Sequence, residues 1–137
     1  MDTEERREPT RTLTESECWD RIVAAPYGRI AVAAADEIDV FPINHAVLDG
    51  TIVFRTAAGT KLLELTIRQR VVFEIDGADE AEAFSVVVKG TAEEFDRDAD
   101  VRKAEATGAI PWAPEPKDRW VRIRPTAVTG RTFTRRP

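Results

Sequence analysis

The chain has 137 residues, of which 42% are hydrophobic and 33% are charged, and its formal net charge is -5 at pH 7. These values predict one soluble domain with an ordinary core, and they argue against nucleic-acid or membrane binding driven by bulk positive charge. No apolar run approaches the roughly 20 residues that a membrane span requires.

The first segment of the chain is polar. Residues 1–12 are charged and interrupted by Pro9, so we predict a flexible N-terminal tail there and one domain over residues 13–137. The tail lacks the apolar stretch of a signal peptide, so we expect a cytoplasmic location.

A short amphipathic helix follows the tail. Thr14 and Glu17 form a capping-box pattern at its start, and the helix ends before Pro26. Cys18 lies on its apolar stripe and is predicted to be buried and unreactive; as the single cysteine it excludes an internal disulfide. His45 is the single histidine, and no spaced carboxylate loop is present, so no metal site is expected.

The remaining elements are mainly strands. Alternating or continuous apolar runs predict strands over residues 29–34, 39–48, 51–56, 70–76, 83–95 and 120–134. Asp49-Gly50 is a type I′ turn signal that pairs the second and third of these strands. Helices are predicted over about 59–69 and 97–108, followed by a proline-rich loop over 110–118. Six short antiparallel strands close most economically into a small barrel, which leaves the outside of the barrel for a ligand.

The strongest functional signal lies where the third predicted strand is followed by a helix. Arg55 and Thr56 end the strand, and Thr60 and Lys61 open the helix. A lysine at the positive end of a helix dipole is unfavourable unless an anion binds there, and the side chains and N–H groups of this segment are able to donate to one phosphate. The alternative is an exposed Lys61–Glu64 pair of little energetic weight. The residues alone leave both interpretations open.

Charge is unevenly distributed along the chain. Residues 74–100 carry ten acidic side chains against two basic ones, whereas residues 117–137 carry seven basic side chains against Asp118. Either the two segments face each other within or between subunits, or the basic segment contributes to an anion site. The arginines and aromatic residues of the second segment do not predict a nucleic-acid interface, because the net charge is negative and the aromatic residues fit a strand.

Five motifs occur in a recognisable order. They are PYGRIAV, Pro42-Ile43-Asn44-His45, IVFRTAAGTKL, FSVVVKGTAEE and a closing WVRIRP followed by VTGR. In this order, over residues 13–133, the chain resembles the pyridoxamine 5′-phosphate oxidase-like superfamily of FMN-binding split-barrel proteins, particularly its small actinobacterial and nitroimidazole-reductase-like members. The resemblance implies a mainly β fold with short helices, a six-stranded antiparallel split β-barrel, and a homodimer with the cofactor at the subunit interface.

The resemblance also implies which residues bind the cofactor. They are Pro42, Ile43, Asn44, Arg55, Thr56, Thr60, Lys61, Trp120 and Arg131. By this resemblance the first three lie along the flavin ring, largely through backbone groups, the next four hold the flavin phosphate, and the last two reach the flavin from the second subunit. Trp120 is alternatively a core residue, since a tryptophan that opens a strand usually packs.

The predicted activity is that of an FMN-dependent oxidoreductase acting on an unidentified small molecule, in which the cofactor carries the chemistry. No acid–base constellation, dinucleotide fingerprint or Walker motif is present. His45 replaces an aromatic residue of many relatives, so it is either a polar residue facing the ring or a strand residue pointing at solvent. A deazaflavin-dependent reductase and a non-catalytic flavin-binding or flavin-sensing module are the alternatives. Vitamin B6 oxidation is not expected, because no basic set for a second phosphate is recognisable.

Overall fold

The computed structural model describes residues 9–34, 36–67, 69–109 and 119–135, and the fold is mainly β. Its strands are β1 (Thr10–Thr12), β2 (Gly28–Ala34), β3 (Glu37–Ile43), β4 (Ala46–Leu48), β5 (Thr51–Thr56), β6 (Arg70–Ala78), β7 (Glu82–Phe95) and β8 (Arg119–Thr134). Its helices are α1 (Glu15–Ala24), α2 (Lys61–Thr66) and α3 (Asp98–Ala106). Within these ranges, no helix is long and apolar enough to cross a membrane. The predicted proline-rich loop lies outside the described residues.

The eight strands form one antiparallel sheet whose two ends are close in sequence. The strand order is β3-β2-β6-β7-β8-β5-β4, and β1 pairs with β8. Only Asn44 and His45 connect β3 to β4, the two terminal strands. A sheet whose terminal strands are two residues apart has to curl back on itself, which gives a barrel that is split between them. The predicted antiparallel split barrel is therefore confirmed.

Two features account for eight strands where the sequence predicts six. The predicted strand over 39–48 divides into β3 and β4, because these pair with β2 and β5 at opposite ends of the sheet. In addition, Thr10–Thr12 pairs with β8, with Thr12 opposite Arg131. Polar residues pair through their backbone as readily as apolar ones, so composition did not reveal β1, and the prediction of a flexible tail was wrong for residues 10–12. The rest of the predicted tail, residues 1–8, lies outside the described residues.

Local signals place the turns and helix starts. Asp49 and Gly50 have φ angles of 50° and 72°, and Leu48 pairs with Thr51, as the predicted type I′ hairpin requires. The capping box of α1 is present. Helix α2 is shorter than predicted, because Gly59 has a φ angle of 76° and cannot belong to the helix, which starts after Thr60.

Strand alternation divides the sheet into an inner and an outer face. Inward residues such as Ile30, Phe73 and Val88 are fully buried and form the main core, together with Cys18 of α1. Burial raises the pKa of the Cys18 thiol, which matches the predicted unreactive cysteine. A second cluster, under α3, packs Phe95 with its neighbours on β5 and β8.

The acidic and basic segments face each other within one chain. Strands β7 and β8 pair along their length, and Glu93 Oε1 lies 3.2 Å from Arg122 Nε and 2.7 Å from Arg124 Nε. Glu94 binds Arg119 in the same way. For these residues, the interpretation in which the acidic and basic segments face each other is therefore correct.

Candidate functional site

Two threonine hydroxyls hold the turn between β5 and α2. Thr60 accepts a hydrogen bond from the Leu63 N–H (3.2 Å) and donates its own proton to the Ala57 carbonyl (2.9 Å). Thr56 Oγ1 lies 3.0 Å from Thr60 Oγ1, and since the Thr60 proton is directed at Ala57, Thr56 is the donor. Both hydroxyl protons are used inside the turn. These hydrogen bonds fix the position of the first turn of α2. The donors still available to a ligand in this turn are the N–H groups of the first helical residues.

Lys61 binds two carboxylates of β3. Its Nζ lies 3.3 Å from Asp39 Oδ1 and 3.5 Å from Glu37 Oε2, and the hydrogen bond with Asp39 raises the pKa of Lys61. The partner considered from the sequence, Glu64, is not the one that the structure uses. Sequence reasoning missed both carboxylates because they lie more than 20 residues away, and only the position of β3 brings them to α2. The Lys61 and Glu37 side chains are 57% and 70% exposed, so this ion pair contributes little to stability.

Arg55 lies on the opposite face of β5 from Thr56, since neighbouring strand residues alternate. It is paired in register with Trp120, and its guanidinium carbon lies 5.1 Å from the centre of that ring. Trp120 is 2% exposed and belongs to the second core cluster with Val53 and Phe95. The structure thus places Trp120 in the core and separates Arg55 from the cluster of Thr56, Thr60 and Lys61.

The predicted flavin-ring strand is an edge of the sheet. β3 is the first strand in the sheet order, so β2 pairs with one side of its backbone and no strand of the described residues pairs with the other. Ile43 points inward and is buried, whereas Pro42 points outward opposite Arg29. An edge strand presents N–H and C=O groups to a ligand or to another chain.

His45 anchors the link between β3 and β4 to helix α1. It is buried, its Nε2 donates to the Ile22 carbonyl at 2.8 Å, and its ring meets Phe73 edge-on at 4.9 Å. Burial lowers the pKa of His45, so the ring is neutral at pH 7. The expectation of a strand residue pointing at solvent was therefore wrong, because the chain crosses the barrel end at this point. The ring packs against the core.

Arg131 is remote from the other predicted residues. It lies on the outer face of β8 and pairs in register with Ser85 of β7. Strand β3 is four strands away in the sheet order, which corresponds to about 19 Å at the usual strand spacing. The strand order therefore does not place Arg131 beside β3 within one chain.

The outer face of β3 and its neighbours carries exposed apolar residues and a charged cluster. Ile38 and Val40 are 77% and 60% exposed. Beside them Arg29 binds Glu74 (3.2 Å) and Asp76 (3.1 Å). Partial burial and the neighbouring Asp76 raise the pKa of Glu74 to about 7. Sequence reasoning singled out none of these residues, because their proximity depends on strand register.

Comparison with known proteins gives consistent matches over most of the chain. The family model described as pyridoxamine 5′-phosphate oxidase matches residues 14–132. An FAD-binding protein from Mycobacterium smegmatis is 37% identical, with a TM-score of 0.82 over 90% of this chain and 98% of that one. A Corynebacterium glutamicum protein, provisionally named a pyridoxamine 5′-phosphate oxidase, is 37% identical, with a TM-score of 0.87 over 96% and 98%. An FAD-binding protein from Mesorhizobium loti is 26% identical, with a TM-score of 0.76 over 92% and 98%.

Proposed function

Because the chain belongs to the pyridoxamine 5′-phosphate oxidase family, we propose that it binds a flavin and acts as an oxidoreductase on a small molecule. The FAD-binding proteins of Mycobacterium smegmatis and Mesorhizobium loti, which share its fold, support a flavin ligand. The observation that carries the proposal is the position of β3. The strand that the resemblance assigns to the flavin ring is a terminal strand of the sheet, and it runs beside Lys61.

The residues on β3 and α2 fit a flavin mononucleotide. The backbone edge at Pro42, Ile43 and Asn44 faces the ring, and Lys61 with the first N–H groups of α2 holds the phosphate. Helix α2 has six residues, so its dipole contributes little. Lys61 is therefore the principal cation of this phosphate-binding site, which we call the phosphate seat. A doubly charged phosphate displaces the carboxylate of Asp39 from Lys61, since exposed ion pairs are weak.

A bound flavin supplies electron or hydride transfer, and the protein supplies orientation and shielding. Arg55 lies on the opposite face of β5 from Thr56 and outside this phosphate site, with its guanidinium against the Trp120 ring. Its Nε is buried and has no hydrogen-bond partner among the described residues. A deazaflavin has a similar ring and also carries a phosphate, so it is the alternative cofactor for this seat.

We also propose that the active form is a homodimer that shares the site between subunits. Arg131, Ile38 and Val40 lie on the same outer face of the sheet, and contiguous exposed apolar residues mark interaction surfaces. Packing the outer faces of two copies together brings the partner's outer-face arginine toward β3. A monomer in light scattering at micromolar concentration would contradict this arrangement.

The flavin proposal is tested by the visible absorption spectrum of the purified protein and by titration with FMN and, separately, with a deazaflavin. Flavin bands or saturable micromolar FMN binding support it, and binding of the deazaflavin alone assigns that cofactor instead. Binding of neither contradicts the proposal. Turnover of the bound flavin with a reductant and an acceptor then distinguishes an oxidoreductase from a non-catalytic flavin-binding or flavin-sensing module.

A further inference from the structure

The outer face of the sheet carries opposite charges at its two ends along β6. The outward residues of this strand alternate with buried ones and follow the order Arg70, Val72, Glu74 and Asp76. Arg70 and Asp76 are six residues apart, which is about 20 Å along an extended strand. We call the part of the face around Arg70 the basic end and the part around Glu74 and Asp76 the acidic end.

The basic end has two cations without a carboxylate partner. Arg70 pairs in register with Thr91, and Lys89 pairs with Val72. The two cations are therefore diagonal neighbours on adjacent strands. Within the part of the chain that the structure describes, neither forms an ion pair. They border a groove of about 750 Å³ whose apolar surface is formed by Ala31, Ala33, Ile38 and Val72. The basic end therefore has both the space and the charge to receive carboxylates of another chain.

The acidic end has more carboxylates than cations. Arg29 Nη1 lies 3.2 Å from Glu74 Oε1 and 3.1 Å from Asp76 Oδ2, so one guanidinium group serves two carboxylates. The outward residues of β7 that pair with these carboxylates, Val87 and Ser85, are uncharged. The side chain of Asp76 is 49% exposed, so it is open to a further cation. The excess negative charge of this end would be neutralised by such a cation.

An apolar row crosses the face between the two ends. Val40 of β3 pairs with Ala31 of β2, and Ala31 pairs with Val72 of β6. Val72 lies between Arg70 and Glu74 on β6, so the row separates the basic end from the acidic end. An exposed apolar row with incompletely paired charges on both sides is typical of an interaction surface.

We propose that this face binds the same face of a second copy, with the basic end of each copy against the acidic end of the other. A two-fold axis that lies between the faces and runs across the strands forms every contact twice. Arg70 then lies near the partner's Asp76, and Lys89 lies near the partner's Glu74. The apolar rows pack near the axis. This inference rests on the homodimer proposed above and deepens it, because it assigns the charges that meet at the interface.

Charge reversal tests this arrangement. The first variant, Arg70→Glu with Lys89→Glu, reverses the basic end, and the second, Glu74→Lys with Asp76→Lys, reverses the acidic end. Each variant alone should be a monomer in light scattering at a concentration at which the wild type is a dimer, because like charges then meet at every ionic contact. An equimolar mixture of the two should form a dimer with one copy of each, because opposite charges meet again. Native mass spectrometry identifies this mixed dimer by its mass.

Two further double variants serve as controls. Arg102→Glu with Lys103→Glu reverses two exposed charges on α3 and should leave the dimer unchanged. Arg70→Gln with Lys89→Gln removes the basic charges without reversing them, so it should raise the dissociation constant of the dimer by about tenfold or more. Circular dichroism verifies that each variant is folded, and the glutamine variant provides the test if a charge-reversed variant does not fold.

The contradicting results are distinguishable. A monomeric wild type rejects the homodimer and this arrangement of charges together. A folded basic-end variant that remains a dimer, or a mixture of the two variants that remains monomeric, rejects the arrangement and leaves the homodimer in place. Loss of the dimer in the α3 control also rejects it, because the effect would then follow from net charge alone. Titration with FMN tests the flavin proposal independently of these results.

Discussion

The inner and outer faces of β2, β3 and β6 differ sharply although they belong to the same strands. Inward residues such as Ile30 and Phe73 are fully buried, whereas Ile38 and Val40 on the outer face are mostly exposed. Burial of apolar surface is the main source of folding free energy, so the inner face supplies the stability of the barrel. The outer apolar residues contribute little to it, and we propose above that they contact a second subunit. Fold and function are therefore separable by mutation.

The largest expected effect separates the two faces directly. Phe73→Ala should lower the free energy of unfolding by about 3–5 kcal/mol, because it removes a fully buried ring and leaves a cavity. Val40→Ala on the outer face should change it by less than about 0.5 kcal/mol. Urea denaturation followed by circular dichroism measures both values. A large loss of stability in the Val40 variant would show that the outer face also belongs to the core.

The next effect concerns His45, whose buried ring packs against the core on the inner side of the sheet. His45→Ala should cost about 2–3 kcal/mol, because it removes a buried hydrogen bond to the Ile22 carbonyl and the ring that packs edge-on against Phe73. Burial lowers the pKa of His45, so the unfolded chain takes up a proton that the folded protein does not. Stability contributed by neutral His45 is present above the ordinary histidine pKa of about 6.5 and is lost as pH falls below it. Unfolding curves between pH 7 and pH 5 should show this loss in the wild type and a weaker one in the variant.

A smaller effect should appear at the edge of the sheet without any loss of stability. Lys61→Ala should weaken FMN binding by about 1.5–3 kcal/mol, roughly tenfold or more, because it removes the principal charged donor. Lys103→Ala on α3 is the control, since it removes an equally exposed lysine. Fluorescence titration measures both affinities, and adding Arg55→Ala to the first variant should weaken binding no further, because Arg55 lies on the other face of β5. Unchanged FMN affinity in the Lys61 variant would reject the phosphate seat.

The smallest effect belongs to the outer charged cluster. The pKa of Glu74 is raised from 4.5 to about 7, so the folded protein holds a proton that the unfolded chain releases. This contribution to stability is present below pH 4.5 and is lost as pH rises to about 7. Glu74→Gln should remove this loss of stability with rising pH. The gain of stability with rising pH that His45 causes should then remain. Unfolding curves of both proteins across this window provide the test, and identical pH slopes would contradict the assignment.

The local features of the fold could be predicted from the sequence. The hairpin at Asp49-Gly50, the capping box at Thr14 and the apolar runs of the long strands each depend on residues close together in the chain. The division of residues 39–48 into two strands could not be predicted, because it depends on which end of the sheet each half joins. β1 was missed for a similar reason, since its polar residues pair through the backbone alone.

The structure brings together some of the residues that the sequence predicts for the site and separates others. Sequence and resemblance identified Lys61 and the β3 segment, and the structure brings these together. They did not identify Asp39 as a partner of Lys61, because that contact joins distant segments. They also did not place Arg55 and Thr56 on opposite faces of β5, although the two-residue period of a strand requires it.

A flavin bound along the edge of β3 beside the start of α2 should protect the backbone there from hydrogen exchange. Hydrogen–deuterium exchange of the protein with and without saturating FMN tests it most directly. We expect slower exchange in residues 37–44 and 60–63, with unchanged exchange in the core strands β6 and β8. Protection confined to other segments, or no protection at saturating FMN, would contradict it.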